Sequence, residues 1–266
     1  IEENLIFSDK HFNAYEKVRS KEIDKEQKAL YYKQKQGSGG VGLFDQSGVF
    51  KTFSRMICNF SFPNEIERPY PEKISEILQE GDFSNEDINL IENELQESEK
   101  AKKHKSEYMN QLNKAIDKLI ENSEEHLVKN LSLHSPKYAK IIENIQNING
   151  SVLVYSEFRV EGLNLLKHTL NAHGYAEMNV VINKIDKKID IIVNEEDYMK
   201  PKYAIFTQDK EVTNIIMKIF NSDLSSLPQN VRDKLKLMDT QRKGEDNLRG
   251  SLIKMLMITR SGATGI

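Results

Sequence analysis

Three short stretches group hydroxyls, glycines and arginines directly behind apolar runs: Ser156-Glu157-Phe158-Arg159, Thr207-Gln208-Asp209, and Thr259-Arg260-Ser261-Gly262-Ala263-Thr264-Gly265. Hydroxyls, backbone N–H groups freed by glycine and a guanidinium donate hydrogen bonds without selecting a base, which suits them to phosphate oxygens. Taken singly, each stretch is equally the ordinary capping of a strand-to-helix turn. Three of them on one sheet edge would make a surface for a phosphate backbone or a nucleotide.

Other chemistry is sparse. The six histidines, His11, His104, His126, His134, His168 and His173, include no H-E-x-x-H spacing and no Cys/His cluster, so no metal site is expected. Cys58 sits in an aromatic stretch and reads as a small buried hydrophobe rather than a nucleophile. Gly37-Ser38-Gly39-Gly40-Val41-Gly42 matches G-x-G-x-x-G, but a Lys/Glu-rich helix precedes it where a strand is required, so it reads as a flexible linker. The carboxylates are scattered over charged helices, and no catalytic residue is assigned.

The elements that must position the three stretches follow from periodicity. Phe7, His11, Tyr15 and Val18 predict a helix running to about Gln36. Phe53, Met56, Ile57, Cys58, Phe60 and Phe62 form an aromatic-rich stretch, closed by Pro63, of the kind that docks on another surface. From Pro71 to about Ser123 the pattern is helical, with a capping box at Ser84 and Asp87. A narrow stripe of Tyr108, Leu112, Ile116 and Leu119 follows, which reads as a charged arm or linker. Ser135-Pro136 starts a helix with serine as cap, and Val152 to Tyr155 reads as a buried strand. Leu163, Leu166 and Leu170 mark a helix ended by Gly174. Val180 to Ile182 and Ile189 to Val193 form a hairpin, Tyr203 to Phe206 and Ile253 to Ile258 are strands, and helices through Ile215 and from Pro228 to Met238 lie between them. Strands alternating with helices imply an α/β fold with a mostly parallel sheet, and in such sheets ligands bind beyond the carboxyl ends of the strands.

Composition limits the rest. With 38% hydrophobic and 30% charged residues, part of the 266-residue chain lies outside any core, while its Phe, Tyr and aliphatic runs suffice for one packed domain. One cysteine forbids an internal disulfide and favours a reducing, intracellular compartment. No apolar run is long enough to cross a bilayer. Residues 1–134 carry 19 Lys/Arg against 25 Asp/Glu, and residues 135–266 carry 19 against 16, so the two halves differ in kind. A mildly basic second half is compatible with nucleic acid without arguing for it. A start at Ile1 and a stop at Ile266, just beyond an apolar strand, read as a fragment.

Ser135-Pro136-Lys137 followed by Gly150-Ser151-Val152-Leu153-Val154-Tyr155-Ser156-Glu157-Phe158 resembles the approach to motif IV of superfamily 2 helicases of the Swi/Snf-like branch. Ile205 to Asp209 with Ile219 to Asp223 resembles the next block, and Met257 to Ile266 resembles motif V. Their order and spacing match across most of residues 135–266. The stretch S-R-M-I-C-N-F-S-F-P-N-E-I-E-R-P, from Ser54 to Pro69, is similar to one in helicase/NTPase proteins of large DNA viruses. Glu157, where a neutral amide is more usual, and Thr264 depart from the pattern.

The resemblance implies a RecA-like lobe 2 truncated after motif V at 135–266, a charged helical linker or insertion at 64–134, and the end of lobe 1 with a Gly-rich linker at 1–63. It places Thr259 on a nucleic-acid phosphate, Gly265 near the ATP ribose, and Ser156, Arg159, Thr207 and Arg260 along the strand backbone, DNA rather than RNA. ATP and Mg²⁺ would be held mainly by a lobe 1 lying outside this sequence. A virion or infected-cell cytoplasm, and a role in transcription, rest on the same likeness. The sequence has no G-x-x-x-x-G-K-[ST] loop, no D-E-x-[HD] and no Q-x-x-G-R-x-x-R, so this piece alone is expected to be inactive while its parent hydrolyses ATP. The competing expectations are an interaction module that binds a protein partner through the 64–134 helices, with the α/β part as scaffold, and a small nucleotide-binding or transferase domain.

Overall fold

The computed structural model describes residues 4–36, 52–69, 99–206, 209–241 and 246–259. They divide into two compact units, one of residues 1–140 and 160–165 and one of residues 141–159 and 166–266. The Gly37–Gly42 linker, the Ser84–Asp87 capping box, Thr207, Arg260 and Gly265 lie outside the described residues.

The first unit is helical. Helix α1 (Asp9–Gln36) is followed by the short α2 (Thr52–Ile57), α3 (Glu99–Glu121), α4 (Leu131–His134) and the first turn of α5 (Pro136–Asn147), whose remainder belongs to the second unit, with a π-helical segment at Glu124–Lys129. The first N–H groups of a helix have no partner inside it. At α2 the buried carboxylate of Glu22 takes both roles, accepting from the N–H of Phe53 and of Ser54 at 3.0 Å each. The aromatic stretch turns inward: Phe53, Met56, Ile57, Phe60 and Phe62 are all buried. Phe60 packs edge-on against Phe62 at 5.6 Å and lies 6.1 Å from the Tyr138 ring. Beyond α2 the backbone is tied down, with Ser61 N–H donating to the His134 carbonyl and the Ser135 hydroxyl donating to the Asn59 carbonyl. The α3 stripe of Tyr108, Leu112, Ile116 and Leu119 is buried rather than solvated. Ser135 caps α5 as its sequence suggests, accepting from Tyr138 N–H at 3.0 Å.

Two buried imidazoles make this unit acid-sensitive. His11 Nε2–H donates to the Ile57 carbonyl at 2.7 Å, and among the described residues neither the buried His11 Nδ1 nor the buried His134 Nδ1 has a hydrogen-bond partner. Burial, followed by the neighbouring Lys10 and His126, pushes the His134 pKa down to about 4. A folded pKa below the unfolded value means that stability is fully present above about 6.5 and is lost as pH falls toward about 4. Urea midpoints followed by circular dichroism should fall over that window, and His134→Gln should flatten the slope.

The second unit is the α/β expectation realised. Strands β1 (Val152–Tyr155), β2 (Ala176–Glu177), β5 (Lys202–Ile205) and β6 (Met255–Ile258) form one sheet in the order β1-β6-β5-β2, with every neighbouring pair parallel. Helices α6 (Leu165–Ala172), α7 (Lys210–Phe220) and α8 (Gln229–Met238) alternate with the strands, and β3 (Asn179–Ile182) pairs antiparallel with β4 (Ile189–Ile192) as a hairpin. A sheet of this kind flanked by helices is consistent with a RecA-like lobe. The core joins Ile216 and Ile219 of α7, Leu235 and Met238 of α8, and Leu256 of β6. Strand β6 is buried throughout, as a central parallel strand should be.

Strand β1 departs from expectation. It is an edge strand, and Leu153 and Tyr155 are each 52% exposed, so the continuous apolar run did not signify burial. Gly174, with φ +83°, sits in the left-handed region just past α6, where a side chain would be strained. Two features carried no sequence signal: the two-residue β2, and the π-helical segment Arg159–Asn164 that leads into α6.

Candidate nucleic-acid interface

Because the strands are parallel, their carboxyl ends share one rim. Tyr155 pairs with Ile258 and Ile205 with Met257, so the residues that follow β1, β6 and β5 emerge side by side. The ladder continues one step further, with Ser156 N–H donating to the Ile258 carbonyl at 3.1 Å and Phe206 N–H to the Met257 carbonyl at 3.0 Å. Ser156 and Thr259 are therefore brought together on neighbouring strands. Both are half-buried, and Arg159, which opens the π-helical segment, is exposed.

Local capping accounts for part of the polar character of the rim. The Ser156 hydroxyl donates to the Phe158 carbonyl at 3.1 Å and accepts from Phe158 N–H at 3.3 Å. Asp209 caps α7, its carboxylate accepting from Glu211 and Val212 N–H at 2.9 and 3.2 Å. Asp209 is thus a helix start. The exposed Arg159 guanidinium at this edge can donate to phosphate oxygen, in keeping with backbone contact rather than base reading.

A second constellation was not anticipated. Arg68, from N-E-I-E-R-P, forms a bidentate pair with Glu161, its Nε and Nη2 each 2.7 Å from a carboxylate oxygen. The Tyr108 hydroxyl donates to the same carboxylate at 3.2 Å, and the guanidinium lies 5.6 Å from the Phe53 ring centroid. Only 8% of the Arg68 side chain and 2% of that of Glu161 are exposed. The Tyr138 hydroxyl donates to the carbonyls of Glu161 and Gly162, at 3.2 and 2.7 Å, where a π-helical segment widens the ladder. Burial and the Glu161 charge raise the Tyr138 pKa well above the usual phenol range, so the hydroxyl stays a donor. The sequence carried no signal for this pair, because Arg68 lies beyond the aromatic-rich run that Pro63 closes and its partner is 93 residues away.

Cys58 is half-buried, its thiol donating to the Ser54 carbonyl, and burial raises its pKa, which leaves it a poor nucleophile. Among the described residues, no group of three or more His, Cys, Asp or Glu could hold a metal ion, and no helix is long and apolar enough to cross a membrane. No family model, curated protein or solved structure matches the chain.

Proposed function

We propose that the second unit is the phosphate-contacting lobe of an ATP-dependent nucleic-acid helicase or translocase of superfamily 2, Swi/Snf-like branch. The observation that carries the reading is the adjacency of Ser156 and Thr259 at the carboxyl rim of an all-parallel sheet. Thr259 and the exposed Arg159 would grip the sugar-phosphate chain together with Ser156, whose hydroxyl would turn from the Phe158 carbonyl to a phosphate oxygen, with Thr207 and Arg260 adding to the same edge. ATP and Mg²⁺ would be held mainly by the companion lobe of the parent protein, with Gly265 at the ribose. Closing and opening of the two lobes would then shift the grip along the strand.

The test uses the parent polypeptide. Thr259→Ala removes a hydroxyl donor to a charged phosphate, a bond of about 1.5–3 kcal/mol, so nucleic acid-stimulated ATP hydrolysis should fall about tenfold or more at saturating ATP. An unchanged rate would count decisively against the role given to this rim.

A further inference from the structure

The first unit contains a wide cleft of about 1250 Å³ between α1, α3 and the Ser61–Pro69 segment, and its charge is one-sided. Lys10, Lys17 and Lys21 line it from α1 and Lys114 and Lys118 from α3, while Glu67 is its one carboxylate among the described lining residues. Intervals of 7 and 11 residues bring the three α1 lysines onto one face, a stripe about 16 Å long at 1.5 Å per residue. Lys114 and Lys118 lie on successive turns about 6 Å apart, an interval comparable to that between successive phosphates of a single strand. Lys17, Lys114 and Lys118 are exposed, and among the described residues none of the three lies within ion-pair distance of a carboxylate. This cationic concentration stands in the half of the chain whose net charge is −6.

We infer that this cleft is a binding site for a single strand of nucleic acid. The floor separates that partner from an acidic protein. Ile57, Phe62 and Ile66, the large aliphatic and aromatic side chains of the floor, are only 2%, 7% and 4% exposed, so none of the three opens a pocket for the buried anchors on which protein interfaces depend. A polyanion needs no such anchor, because its affinity comes from releasing the counterions condensed on its phosphates. The volume also exceeds the roughly 300–1,000 Å³ typical of small-ligand pockets and suits a chain that enters and leaves. Asn13, Asn64 and Gln111 supply amide groups able to meet sugar and base edges without enforcing one sequence. The inference stands on residues of the first unit alone and does not depend on the role of the sheet rim.

The experiment measures anisotropy of labelled oligo-dT and oligo-U, each of about 15 nucleotides, on the full chain over a range of salt concentrations. Removing three phosphate contacts should lower the slope of log affinity against log salt by about 2, since each contributes about 0.7 for a single strand. Lys17→Ala/Lys114→Ala/Lys118→Ala is thus expected to lose that slope together with at least tenfold in affinity at low salt. Lys17→Glu/Lys114→Glu should lose more. All the substituted side chains are exposed, so circular dichroism and urea midpoints should match the parent chain. Thr259→Ala removes no cation, so a slope loss confined to the lysine variants belongs to the cleft and a loss of affinity without loss of slope belongs to the rim. Lysine variants that bind like the parent, a parent chain that binds neither oligonucleotide at low salt, or an oligo-glutamate of equal charge that binds as tightly would each overturn the inference.

Discussion

Replacing Arg68 by methionine is expected to destabilise the first unit by about 3–5 kcal/mol, because a buried pair that loses one member leaves the other charge uncompensated. Without the guanidinium, the Glu161 carboxylate, 2% exposed, keeps only a 3.2 Å hydrogen bond from the Tyr108 hydroxyl among the contacts described above. Packing of the guanidinium over Phe53 is lost as well. At a urea m-value of about 2 kcal/mol/M, the midpoint should fall by about 2 M. The double variant Arg68→Met/Glu161→Met should recover most of the loss, because two apolar side chains in place of a buried ion pair are commonly neutral or better. A loss below about 1 kcal/mol in the single variant, or a double variant weaker than the sum of the two single ones, would show that the pair does not hold this unit together.

The second large effect is expected at Lys202, the fully buried lysine that begins β5. Its ammonium donates to three carbonyls, those of Tyr198 at 2.6 Å, Lys200 at 3.0 Å and Met238 at 2.6 Å, so its three protons are matched by three acceptors. Lys202→Met keeps the volume and strands all three acceptors at about 1–3 kcal/mol for each that water cannot reach, so a loss of about 3 kcal/mol or more is expected. Burial lowers the Lys202 pKa to about 8, with Asp239 and Asp197 pulling the other way. The folded value lies below the unfolded one, so the folded state releases its proton first. The resulting gain in stability is absent below about 8 and complete above about 10.5. Lys202→Met should erase that rise, and denaturation followed across pH 7 to about 10 would reveal a variant whose slope is unchanged.

Much of the second unit was legible because its elements announce themselves locally. Continuous apolar runs marked β1, β5 and β6, and turn residues marked the hairpin. From these followed the parallel sheet and its rim, and hence Ser156 beside Thr259. What stayed hidden depends on distance in the chain or on burial against type. Arg68 finds Glu161 93 residues away, and no periodicity reports such a pairing. Lys202 reads as a solvated cation until three carbonyls surround it. The run at β1 suggested burial because apolar residues recur at every position, whereas the strand lies at the border of the sheet with Leu153 and Tyr155 open. The α3 stripe shows the converse, a narrow apolar line that is wholly enclosed.

The two borders of the sheet are unequal. On one side β2 ends the sheet with two residues, too short to template a further strand, whereas β1 presents four residues whose outward N–H and C=O groups face away from β6. Among the described residues, extension by strand addition, from a neighbouring segment or from a second copy at high concentration, is therefore favoured on the β1 flank. A lysine at position 153 should act as a gatekeeper there, raising the concentration at which the protein aggregates while leaving its fold intact.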